Sequence, residues 1–230
     1  MIAETTLVPS LLKISATEER IRLRSYIDNK PVFFALKRVS DIVFSALFIV
    51  FILSWLFPII ALLIWLDSNG PVLFLQERVG RGGKTFVCFK LRTMVPGPDG
   101  RLRITALGNF LRKSNIDEFP QFVNVFLGSM SIVGPRPHTH ADCQRFSEAV
   151  DLYKFRSFVR PGITGLAQIK GYHGPAIREE SIIRRYEWDS YYIRTTSFWL
   201  DISIIRHTAM QSFWNLVRLM RSHGKVATAS

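Results

Sequence analysis

Hydrophobic and polar positions divide the chain unevenly. From Ile42 to Leu66 there are 25 consecutive residues with no charge, interrupted only by Ser45, Ser54 and Pro58. As a helix this run spans about 37 Å, against a bilayer hydrocarbon core of about 30 Å. Before it, residues 1–36 are mixed and polar and read as an N-terminal arm with a charged helical stretch at Glu18 to Arg24. After it, Asp67-Ser-Asn-Gly-Pro71 is a turn signal. The pattern then predicts two short strands around a Gly80–Gly83 turn, the second from Thr85 to Leu91. Helices are predicted at about 106–113, 117–127, 140–157, 178–194 and 200–221. Phe119, Phe122, Val123 and Phe126 give the second an apolar face. In the last, Ile204, Ile205, Phe213, Trp214, Val217 and Met220 run beside Arg206, Arg218, Arg221 and Lys225. Such a basic amphipathic helix fits a membrane interface, and core packing of the same face fits equally.

The expected fold is therefore α+β and mostly helical. A membrane segment (37–70) precedes a helical domain with a small β-hairpin (71–230), which ends in an interfacial helix. Whether the apolar run crosses the bilayer turns on two features. Pro58 removes a backbone donor and kinks a helix. Basic residues flank both sides, Lys30, Lys37 and Arg38 before and Arg78, Arg81 and Lys84 after, and basic loops prefer the cytoplasm. Together they favour a re-entrant helical hairpin, broken at Ser54 and Pro58, over a simple spanning helix.

Charge narrows the partners. Thirty Lys and Arg face 18 Asp and Glu, a net charge of +12, while 48% of residues are hydrophobic. A surplus of that size seeks a polyanion, and the apolar content favours membrane lipid and phosphorylated substrates over nucleic acid, for which no recognition motif is present. Cys88 and Cys143 form no CxxC pair and no disulfide framework, which suits a reducing, cytosol-facing location. Gly83-Lys-Thr85 is not a phosphate loop, because Arg78 stands where the first glycine belongs. His138 and His140 belong to no metal-ligand pattern.

Three short stretches carry chemistry. Asp117-Glu118 lies among Arg112, Lys113, Ser114 and Asn115. Adjacent acids suit one hard cation, since Mg²⁺ takes one or two carboxylates plus substrate phosphates. The competing reading is a helix cap, Ser114-x-x-Asp117, with Pro120 in the first turn of the following helix. Gly134-Pro135-Arg136-Pro137 is a rigid loop that aims one guanidinium, and Arg160-Pro161-Gly162 is a second of the same kind. Arginine's planar fork suits phosphate, although an exposed turn arginine explains either loop alone.

Taken in order, these pieces resemble the bacterial sugar transferase family, the monotopic phosphoglycosyl transferases that start polysaccharide assembly on a polyprenyl phosphate. The likeness runs from about Lys37 to Thr208. It includes Phe89-Lys90-Leu-Arg-Thr-Met94, Leu111-Arg112-Lys-Ser114, Ile116-Asp117-Glu118-Phe-Pro-Gln121, Met130 through Pro137, Arg160 to Gln168, Tyr191-Tyr-Ile193 and Leu200-Asp-Ile202. Trp55 stands where many relatives place the proline of the membrane break, and Ser129 where they place an acid.

The resemblance implies a two-step phosphotransferase, acting on a UDP-sugar donor and an undecaprenyl phosphate acceptor in exopolysaccharide biosynthesis. In it Asp117 is the nucleophile and Glu118 a Mg²⁺ ligand beside Asp117. Lys90 supports the acids, Arg112, Arg136 and Arg160 hold phosphate, and Gly134, Pro135 and Pro137 shape the loop. It places the catalytic part at the cytoplasmic face of the inner membrane, and a homodimer is compatible with it. The loop at 94–103, His138 and the region of Tyr172 look most like the branch that uses glucose or galactose. The rivals are transfer from a UDP-N-acetylhexosamine and a non-catalytic adaptor for anionic lipid.

Overall fold

A computed structural model of the protein describes residues 16–174 and 178–227; the first part of the N-terminal arm lies outside them. Helix α1 (Ala16–Asp28) leads to a long helical segment that starts at Pro31. Proline suits a first helical position because its missing N–H would be unpaired there anyway. The segment comprises α2 (Pro31–Phe48), a π turn (Ile49–Leu53) and α3 (Ser54–Asp67). It is long and apolar enough to cross a membrane, and little of it is buried.

Both bending devices fall within one stretch of this segment. In the π turn the Ser54 N–H donates to Ile49 O, five residues back. Ser54 Oγ donates to Val50 O (2.6 Å), and Pro58 lies inside α3. Every residue here keeps helical backbone, so where the sequence suggests a break the chain runs on as helix through a π turn and a proline, whose nitrogen has no hydrogen to donate to the helix.

The rest of the chain builds a small domain on the two ends of that segment. Strands β1 (Leu73–Val79) and β2 (Thr85–Leu91) form the antiparallel hairpin the sequence predicts, with Phe74 opposite Lys90. A second short hairpin pairs β3 (Met94–Pro96) with β4 (Leu102–Ile104). Helix α4 (Ala106–Ser114) follows, capped by the Thr105 hydroxyl accepting from Gly108 N (2.9 Å). Helix α5 (Gln121–Leu127) then leads to β5 (Ser131–Val133) and α6 (His140–Ala149). Strand β6 (Gly162–Thr164), pairing parallel with β5, precedes α7 (Leu166–Ile169), α8 (Glu179–Thr195) and α9 (Phe198–Ala227). Residues Tyr153–Phe158 form a 3₁₀ turn where the sequence predicts more of α6.

Two apolar clusters clamp the long segment. Ile60 and Ile64 of α3 pack with Leu91 and Leu111. Around α2 lies a larger core of Leu23, Val133, Phe155, Val159, Tyr192, Ile193 and Ile204, with Phe34 against it. Phe48 stacks on Phe122 with ring centroids 3.8 Å apart. Polar ties reinforce both ends. Lys37 Nζ meets Asp201 at 2.5 Å in a buried pair, and the Tyr192 hydroxyl donates to the other Asp201 oxygen (2.8 Å). Arg38 donates to Val125 O and Phe126 O, and Asp41 accepts from Ile132 N–H. At the far end Arg92 gathers the carbonyls of Ile64, Ser68 and Asn69.

Helix α9 packs little of its apolar face inward. Its inward side is largely polar: Asp201, Thr208, Gln211 and Ser212 bond to Lys37, Thr164, Ile169 and Asn115. Among its described apolar side chains Ile204 is the one fully buried. Trp199 (83% exposed), Ile202, Met210, Phe213 and Trp214 face outward. The described side chains of that apolar face therefore lie mostly outside the core.

Candidate active site

The acids sit on a short connection. Asn115 takes a left-handed conformation (φ 60°) and ends α4, a position asparagine tolerates better than most residues. A single 3₁₀ turn, Ile116–Glu118, follows, and α5 begins only at Gln121. The helix-cap reading is therefore corrected: Ser114 Oγ donates backward to Phe110 O and Leu111 O, and Pro120 precedes the helix. A tight turn projects two adjacent acids differently, and their surroundings diverge.

Helix α5 brings the turn against β2. The Asn124 side chain behaves like a neighbouring strand. Its Oδ1 accepts from Phe89 N–H (2.9 Å) and its Nδ2 donates to Val87 O (2.7 Å). Lys90, the next residue of the strand, then reaches Glu118 Oε1 at 2.7 Å. Arg136 reaches the same oxygen at 2.9 Å. No contact is recorded to Oε2 among the described residues. Asp117, although only 8% exposed, has no hydrogen bond or ion pair among the described residues.

The titration of the two follows from this difference. Burial raises Asp117 to about 6, adjacent Glu118 adds to the rise, and Lys90, Arg112 and Arg136 oppose it. Burial would also raise Glu118, but Arg136 and Lys90 outweigh it and hold the group at about 2. Paired carboxylates whose surroundings drive their pKa values apart are a common basis for divided roles. At neutral pH Glu118 is a fixed anion locked between two cations. Asp117 is a mostly ionised carboxylate with no partner, flanked by three cations.

The arginine loop is built by close backbone approach. At Gly134 a Cβ would lie 2.4 Å from Arg160 O, so the β5–β6 pairing admits glycine there. Pro135 O accepts from Gly162 N–H (3.0 Å), and Pro137 O from Arg78 (3.2 Å). Arg112 lies on the other flank, its Nε donating to Thr93 Oγ1 (2.8 Å).

Of the residues singled out from sequence, the fold assembles Asp117, Glu118, Lys90, Arg112 and Arg136. Arg160 does not join them. Its Nε donates to Gly128 O (2.9 Å) at the end of α5, beside Arg38. Ser54 and Pro58 lie within the long segment, apart from the acids. Arg78 and Gln121, which line the pocket beside Lys90 and Arg136, carried no signal beyond their place in a motif.

Two adjacent carboxylates with an open oxygen on each suit Mg²⁺, which binds proteins through one or two carboxylates and fills its remaining positions with water and substrate phosphate. No larger cluster of His, Cys, Asp and Glu exists among the described residues.

Comparison with known proteins places this arrangement. Residues 32–215 match the family described as "Bacterial sugar transferase". The chain is 37% identical over 93% of its length to the UDP-glucose:undecaprenyl-phosphate glucose-1-phosphate transferase of Escherichia coli, covering 50% of that protein. It is 40% identical, over 77% of this chain and 44% of the relative, to the UDP-N-acetylgalactosamine-undecaprenyl-phosphate N-acetylgalactosaminephosphotransferase of Aeromonas hydrophila. It is 42% identical to the exopolysaccharide production protein PSS of Rhizobium leguminosarum bv. phaseoli, over 76% of this chain and 94% of that one. The chain thus spans about half the length or less of several curated relatives it matches, and nearly all of another. The chain belongs to the bacterial sugar transferase family.

Proposed function

We propose that the protein transfers hexose 1-phosphate from a UDP-sugar to undecaprenyl phosphate, releasing UMP, as an initiating step of exopolysaccharide synthesis. The observation that carries this reading is the asymmetry of the acid pair. Glu118 is held by Lys90 and Arg136, while Asp117, among cations, has no hydrogen-bond or ion-pair partner among the described residues. The names of relatives supply the substrate class.

In the first step an Asp117 carboxylate oxygen attacks the β-phosphorus of the donor. A P–O bond to Asp117 forms, the bond from that phosphorus to the bridging oxygen breaks, and UMP departs with the electron pair. In the second, a phosphate oxygen of the acceptor attacks the same phosphorus and Asp117 leaves as carboxylate. Covalent catalysis of this kind divides one displacement into two. Arg136 and Arg112 hold phosphate oxygens, and Lys90 with Arg136 keeps Glu118 ionised. Mg²⁺, held by Glu118 and Asp117, would neutralise charge on the phosphoryl groups.

A lipid acceptor requires a site at the membrane. The π turn and Pro58 supply a bend, both ends of the long segment dock on one domain, and the basic flanks favour one face. These features support a re-entrant hairpin in the inner membrane, with the catalytic domain on the cytoplasmic side. The outward Trp199, Phe213 and Trp214 of α9 suit the same interface.

Glucose or galactose is the favoured hexose. A second reading, an N-acetylhexosamine donor, is favoured by the Aeromonas relative's name at similar identity. Purified protein with Mg²⁺, undecaprenyl phosphate and a panel of UDP-sugars separates them. The expected nucleotide product is UMP, most rapidly from UDP-glucose or UDP-galactose. Release of UDP would indicate glycosyl transfer and overturn the proposal.

A further inference from the structure

Four consecutive carbonyls of the loop that carries Arg136 each accept a hydrogen bond. Pro135 O takes Gly162 N–H (3.0 Å) and His138 O takes Val79 N–H (2.8 Å). Pro137 O takes the guanidinium of Arg78 (3.2 Å), and Arg136 O takes that of Arg156 (2.7 Å). The last differs from the others. Arg156 is 7% exposed and forms a buried ion pair with Asp189 of α8, which is 1% exposed. Its Nε and one terminal nitrogen both lie 2.8 Å from Asp189 Oδ2. That same terminal nitrogen then donates to Arg136 O.

A buried guanidinium is costly unless paired and hydrogen-bonded in full. A tie between the 3₁₀ turn and α8 would need only Asp189. The bond onward to Arg136 O fixes the backbone from which the Arg136 side chain departs toward Glu118. We propose that Arg156, oriented by Asp189, is a positioning residue for the Arg136 guanidinium: it sets the direction from which Arg136 meets Glu118 and the donor phosphates. This inference rests on the function proposed above. Lysine keeps the charge at position 156 but lacks the fork that spans Asp189 and the carbonyl.

The test is a double-mutant cycle on the purified protein with UDP-glucose and undecaprenyl phosphate. Misplacement by about 1 Å costs roughly a hundredfold, so Arg156→Lys should lower kcat/KM by roughly 10- to 100-fold. With Arg136→Lys already present, the same change should cost no more than about twofold. Equal losses in both backgrounds would overturn the proposal. If Arg156→Lys does not fold, Asp189→Asn takes its place in the same cycle. Amide hydrogen exchange gives a readout independent of turnover. The Val79 and Gly162 amides should exchange faster in Arg156→Lys while those of α8 keep their protection. Unchanged exchange at both amides would refute the clamp. An inactive wild type with a loosened loop in the variant would instead count against the proposed reaction alone.

Discussion

Replacing Asp117 with asparagine should abolish turnover and make the protein more stable. Burial and adjacent Glu118 raise the Asp117 carboxyl from its ordinary value of 3.8 to about 6. An acid whose pKa is higher in the folded state loses free energy on ionising there. The loss is absent below about pH 3.8, grows as pH rises, and is complete above about pH 6. A shift of about two units corresponds to about 3 kcal/mol. Asparagine removes that penalty at nearly constant volume. For a chain of this size, about 3 kcal/mol is roughly 6–12 °C in Tm. Thermal melts in detergent, with EDTA present, compare the two proteins at pH 7.5 and pH 4.5. The variant should melt higher at pH 7.5, and the gap should shrink at pH 4.5. A variant that melts lower, or a gap indifferent to pH, would refute the picture of a strained, unpartnered carboxylate.

Glu118→Gln should act in the opposite sense, because it leaves Lys90 and Arg136 without their shared anion; about 3–5 kcal/mol of stability should be lost in denaturant titration. The kcat/KM of the wild type should fall as pH drops through about 6, where Asp117 takes up a proton, with no second acid limb above the range of Glu118 at about 2. Gly134→Ala should destabilise by about 1–3 kcal/mol or more, since its Cβ meets Arg160 O at 2.4 Å. Asp201→Asn should cost about 3–5 kcal/mol by stranding buried Lys37, and limited proteolysis should then cut more readily near the start of α2.

How far the sequence reaches depends on how locally each feature is determined. The β1–β2 hairpin was legible because Gly80–Gly83 and the flanking strands are neighbours in the chain. The parallel β5–β6 pair was not: three-residue strands give no alternation, and their partners lie about thirty residues apart. The acids and their expected roles were legible through the family resemblance, but the physical basis of their different surroundings was not. It depends on Asn124 docking α5 on β2, which delivers Lys90 to Glu118 while Asp117 has no hydrogen-bond or ion-pair partner among the described residues. Arg136 and Arg160 look equivalent as loop arginines. Only the fold turns one toward Glu118 and the other toward the carbonyl of Gly128. Arg156 sits in an aromatic stretch, Tyr153-Lys-Phe-Arg-Ser-Phe158, where a charge is unusual and hints at a buried partner, but Asp189 is 33 residues away.

The central claim is that Asp117 itself bonds to phosphorus. Incubating the protein with Mg²⁺ and UDP-glucose, without acceptor, and mapping peptides by mass spectrometry tests it most directly. The account predicts a hexose-phosphate adduct on Asp117 that forms with release of UMP and disappears when undecaprenyl phosphate is added. Full turnover with an unmodified Asp117, or an adduct on another side chain, would contradict it.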